Sequence, residues 1–136
     1  MKKSLIVIFL IALIPFNEIS AKRVRYFFNK VEIYNLRNGG KDTNWGSYII
    51  ELNTDYQTVV LKYKHNGSAE WKTIKVNIQN TDMGSGPDGI DGHCYTMTNG
   101  DELYINYNTV KKYSTITVES RNTKMNFGRP TRVEKF

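Results

Sequence analysis

Residues 80–93 hold the densest set of groups that could do chemistry, reading Asn-Thr-Asp-Met-Gly-Ser-Gly-Pro-Asp-Gly-Ile-Asp-Gly-His. Asp82, Asp88 and Asp91 offer carboxylate oxygens, and the glycines between them let backbone carbonyls fold around an ion. Hard cations such as calcium take oxygen clusters of this kind, so a calcium site on these three aspartates is one expectation. The competing expectation is that Pro87-Asp88-Gly89 and Asp91-Gly92 are turns in a long connection. Connections of this length often carry function.

Nucleophilic catalysis finds little support. His93 and Cys94 are adjacent, but successive residues of a strand point to opposite faces. Ser85 lies between glycines without the spacing of a hydrolase nucleophile elbow, and neither paired histidines on a helix nor a phosphate-cradling loop occurs. The chain therefore reads as non-catalytic and without a cofactor, calcium excepted. An enzyme or ion-dependent protein built on residues 80–93 is the rival reading.

The elements that must position such groups are strands. Short runs of Ile, Val, Tyr and Thr alternate with Asn-Gly, Gly-Gly and Asp-Gly punctuation, and no stretch after residue 21 has a helical period. In residues 48–79, a two-residue turn at Asn66-Gly67 would pair Val59 with Ile74, Leu61 with Lys72 and Lys62 with Trp71. A four-residue loop over 53–56 would pair Ile50 with Val59 and Tyr48 with Leu61. Both registers gather Tyr48, Ile50, Leu52, Val59, Leu61, Tyr63, Ile74, Val76 and Ile78 on one face.

In residues 94–119, Asn99-Gly100 would pair Thr96 with Leu103 and Cys94 with Ile105, placing Cys94 on the inner face. A loop over 108–111 would set Ile116 against Leu103. With a further strand or two in residues 25–36, two apolar sheet faces point to an antiparallel β-sandwich of about seven strands, with a small closed β-barrel as the alternative. Residues 22–136 form one domain on this reading, in which 121–136 are a flexible basic tail or an edge strand ending at Phe127.

The first register also throws Trp71 outward beside Lys62, Val60, Ile49 and Lys75. A large aromatic with aliphatic and basic neighbours suits a protein or glycan partner better than bulk water. That face is the expected binding surface, unless another segment of the chain folds across it.

The address comes from the first 21 residues. Lys2 and Lys3 precede an apolar run from Leu5 to Phe16, and Ile19-Ser20-Ala21 ends in a small residue, the layout of a secretory signal peptide. The product would be secreted or periplasmic, with no transmembrane segment after cleavage. The chain carries 19 basic and 13 acidic residues for a net charge of +6, or +5 once Lys2, Lys3 and Glu18 are set aside. Its basic residues are dispersed along the sequence, so nucleic acid is not the expected partner. Cys94 is the sole cysteine, so no internal disulfide can form.

The expected function is thus a non-catalytic binding module for a protein or glycan, or an inhibitor-like protein that caps an envelope or secreted enzyme. Intact-mass measurement of protein from the native host should find a product beginning at Lys22. A full-length product retained inside the cell would overturn the export reading.

Overall fold

The computed structural model describes residues 22–85 and 90–136; the expected leader and Asp88 lie outside them. Nine strands follow one another: β1 (Arg23–Asn35), β2 (Lys41–Asn53), β3 (Thr58–His65), β4 (Lys72–Ser85), β5 (Ile90–Met97), β6 (Glu102–Asn108), β7 (Tyr113–Glu119), β8 (Thr123–Gly128) and β9 (Arg132–Lys135). The first eight pair antiparallel in sequence order, and β8 returns to β1, closing an eight-stranded barrel. The barrel is the alternative fold expectation; the sandwich does not form. Its two supposed sheets are one, because residues 80–85 and 90–93 are strand rather than connecting loop. β4 extends through Ser85 and pairs with β5 from Ile78 opposite Met97 to Ser85 opposite Asp91. Residues 121–136 are likewise strands β8 and β9, not a tail.

β1 is the seam of closure. One edge binds β2 along nearly its whole length, while the other binds β8 at Glu32–Asn35 and β9 at Val24–Phe27. Gly128 at φ 70° and Pro130, which has no N–H, end β8, and the chain resumes as β9 farther along the same edge. The Thr131 amide donates to the Phe27 carbonyl at 2.7 Å and starts that pairing.

Several registers differ from expectation, each for a local reason. Ile50 faces Leu61 and Leu52 faces Val59, because Asn53 is the last strand residue and the loop occupies residues 54–57. Its side-chain oxygen accepts the amides of Asp55 and Tyr56, and Gln57 takes the left-handed conformation at φ 53°. Asn108 does the same, accepting the amides of Val110 and Lys111 with Lys112 at φ 60°, so that Ile105 faces Ile116. At Asn66-Gly67 only Gly67 has positive φ, whereas the expected two-residue turn needs it at both positions. The loop therefore continues to Trp71, and Val59 faces Val76, Leu61 faces Ile74 and Lys62 faces Thr73. These shifts are all of two residues, so the expected inner face survives.

The Asn99-Gly100 turn changes more. The Met97 carbonyl accepts the Gly100 amide, Gly100 sits at φ 90°, and the Met97 amide donates to the Asp101 carbonyl. This is a three-residue loop ending in a glycine bulge, and its odd length shifts the register by one. Tyr95 now faces Leu103 and Cys94 faces Tyr104. Tyr95 and Met97 therefore turn inward, and Cys94 lies on the outer face, opposite to expectation.

The filled interior holds Phe28, Val31, Tyr48, Ile50, Leu52, Val59, Ile78, Tyr95, Met97, Leu103, Ile105, Ile116 and Phe127. A bulge between Phe28 and Lys30 lets both Phe28 and Val31 point inward. Outside, Arg25, Glu51, Lys62 and Lys75 stand on the strands, the reverse of the polar-in, apolar-out pattern of a transmembrane barrel. No helix among the described residues is long and apolar enough to cross a membrane.

Ile74 has the inner parity but lies at an open end of the barrel, 48% exposed. There the N-terminal half of β4 pairs with β3 alone, and two cavities of about 100 and 260 Å³ share Leu61, Ile74 and Met125. Leu103→Ala, at 0% exposure, should cost about 2–5 kcal/mol in urea melts. Ile74→Ala should cost well under half of that, and equal losses would mean that the end is closed.

Candidate functional site

Consecutive pairing of β1 to β4, with β9 on the other edge of β1, lays the outer faces of β9, β1, β2, β3 and β4 side by side. One row across them runs Arg132, Phe27, Ile49, Lys62, Thr73, each directly opposite the next. The adjacent row runs Glu134, Arg25, Glu51, Val60, Lys75. Four of the five expected surface residues, Ile49, Val60, Lys62 and Lys75, thus do lie on one outward face. Glu51 holds it together, with one carboxylate oxygen 3.2 Å from Nε of both Arg23 and Arg25.

Trp71 departs from expectation. It is not opposite Lys62 but precedes β4 in the loop, 48% exposed, with Lys64 Nζ 5.4 Å from its ring centroid. From there it borders a groove of about 400 Å³ whose walls include Ile49, Phe27, Arg132, Ser47 and Gly46. Gly46 is demanded by packing: a Cβ there would stand 2.3 Å from the Lys64 carbonyl oxygen, so any side chain would prise β2 from β3.

Aromatic rings beside cations recur over this part of the surface. Arg132 lies 4.0 Å from the Phe27 ring centroid, Lys30 5.5 Å from Trp45, and Arg23 and Arg25 4.5 and 4.6 Å from Phe136. Such pairs keep large rings exposed while holding them in fixed orientations. Phe27, Arg132 and Phe136 are not marked as neighbours in the sequence because β1 and the C-terminal residues that pair with it lie at opposite ends of the described chain. The signal available was the alternation Tyr26-Phe27-Phe28, which sends its middle ring outward.

Two of the three expected metal-ligating aspartates lie on the β4–β5 ladder. Asp82 faces Cys94, Asp91 faces Ser85, and Asp88 lies outside the described residues. Among those described, no group of three His, Cys, Asp or Glu side chains could hold a metal ion. His93 Nδ1 sits 3.3 Å from the Tyr95 hydroxyl, turned away from Cys94.

Cys94 has an acidic setting instead. Its thiol donates to Glu102 Oε2 at 3.8 Å, and the Tyr104 hydroxyl donates to the same oxygen. Burial, and the Glu102 carboxylate beside it, push the Cys94 thiol up, so it stays protonated where a catalytic cysteine would be ionised.

No known family model matches the chain. Comparison with curated proteins finds no match, and comparison with solved structures finds none either.

Cys94 should alkylate more slowly at pH 8 than an unperturbed thiol. Removing the neighbouring charge by Glu102→Gln should lower its pKa and raise the rate several-fold. An unchanged pH profile in that variant would mean that Glu102 does not govern the thiol.

Proposed function

We propose that this protein is a non-catalytic binding module acting outside the cytoplasm, and that its partner, a protein or glycan, docks on the outer face of β1–β3 around Trp71. The observation that supports this is the groove in which Trp71, Phe27, Ile49 and Arg132 converge on a face that also exposes Lys62 and Lys75. An exposed aromatic flanked by an aliphatic side chain and a cation offers apolar area, ring stacking and a charged hydrogen-bond donor at once. Glycan rings and protein loops both use that combination. Export, read from residues 1–21, would place the module where such partners are met.

Trp71 stands in a loop with half its surface in water, so its truncation should barely alter folding. Trp71→Ala should leave the urea midpoint nearly unchanged, while binding to the partner recovered from the native envelope or medium weakens by about 2 kcal/mol or more, as for an interface anchor. In a Trp45→Phe background, Trp71 fluorescence should be red-shifted and readily quenched by acrylamide. A blue-shifted, quencher-resistant ring in the free protein would refute the docking face. So would partner binding indifferent to Trp71→Ala.

A further inference from the structure

Between β7 and β9 the barrel is not zipped. β7 pairs with β8 only from Ile116 to Glu119, so among the described residues no strand lies beside Tyr113, Ser114 and Thr115 on that edge. β9 lies on β1, and among the described residues no strand pairs with its far edge. A cleft of about 530 Å³ separates the two edges. Tyr107, Tyr113 and Lys112 stand on one wall and Tyr26 and Lys135 on the other, with Arg129 where β8 gives way to β9.

The charge in this cleft is one-sided. Arg129, Lys112, Lys135 and Arg132 all line it, and no carboxylate among the described residues does. Arg132 is partly engaged, 3.8 Å from Glu134. Lys112, Arg129 and Lys135 form no ion pair among the described residues, and the Arg129 guanidinium lies 4.7 Å from the Tyr113 ring centroid. Burial, with Tyr95 beside it, pushes the Tyr26 hydroxyl up to about 12, so it remains a hydrogen-bond donor at neutral pH. Four cations with no carboxylate among them, tyrosine side chains in the same lining and a volume suited to a small molecule describe an anion receptor.

We infer that the β7–β9 cleft binds a small ligand bearing a tetrahedral oxyanion, phosphate or sulfate, held by Lys112, Arg129 and Lys135. The oxyanion is met either free or carried on a sugar, and the tyrosine rings favour the latter. This site is separate from the Trp71 groove, sharing with it only Thr131 and Arg132, so it stands or falls independently of the docking face.

Calorimetric titration of the purified protein at low ionic strength, with inorganic pyrophosphate and with a sulfated disaccharide, tests the site. The expected result is saturable one-to-one binding that weakens about tenfold or more in Arg129→Ala and again in Lys135→Ala on the facing wall, and that fades with added salt. Tighter disaccharide binding assigns the oxyanion to a sugar, and equal or tighter pyrophosphate binding assigns it to a free ion. Lys124→Ala on β8, outside the cleft, controls for general charge. Two independent variants and their urea midpoints separate lost contacts from lost folding. The inference is overturned by the absence of saturable binding to either probe, or by losses in Lys124→Ala that match those in the cleft variants.

Discussion

The pairing of β8 with β1, Ile33 against Met125 and Glu32 against Asn126, joins strands from opposite ends of the described chain, and the rest of the structure depends on it. Without it, strands β1–β8 would form an open sheet with two unpaired edges and one apolar face in water. With it, Phe127 reaches Phe28 at 5.2 Å and Tyr48 at 5.9 Å between ring centroids, so the last core residue packs against the first and against the middle of β2. Closure pairs most of the edges that would invite aggregation, leaving those of β7 and β9 at the cleft, and turns a single face into an interior.

Closure also decides what kind of site this barrel can have. Eight strands leave an interior just wide enough for side chains to fill, and here Ile50, Leu103 and Ile116 fill its centre. Small cavities remain at an open end, and among the described residues the centre is packed. The two sites proposed above lie outside it, on the β1–β3 face and in the gap that β9 leaves beside β7. Both features trace to β1, which presents Phe27 and Arg25 outward on one edge's ladder and accepts two successive strands on the other.

The same geometry explains why the chemically suggestive residues stay apart. Strand pairing fixes Asp82 opposite Cys94 and Asp91 opposite Ser85, and the backbone of residues 80–85 and 91–93 is committed to the β4–β5 ladder. Cys94 and His93 follow strand alternation to different faces. The Glu102 carboxylate that receives the Cys94 thiol and the Tyr104 hydroxyl makes an outer polar cluster that, with burial, favours the protonated thiol.

The sequence by itself determined the all-β class, the inward set of the first meander and the outward set Ile49, Val60, Lys62 and Lys75. These follow from alternation, which is local and survives any even slip of register. Turn chemistry was legible only in part. Asn53 and Asn108 announce turns, yet whether such an asparagine ends the strand or begins the loop depends on its side chain capping later amides. Asn99-Gly100 hid an odd-length loop, and that one residue sent Cys94 outward and Tyr95 inward. Tertiary structure alone decided between sandwich and barrel, because closure rests on hydrogen bonds between β1 and β8, far apart in sequence and unmarked by any local pattern. It alone gathered Arg132 beside Phe27 and brought Lys112, Arg129 and Lys135 to one cleft, since charges scattered along a chain meet only when strand order makes them neighbours.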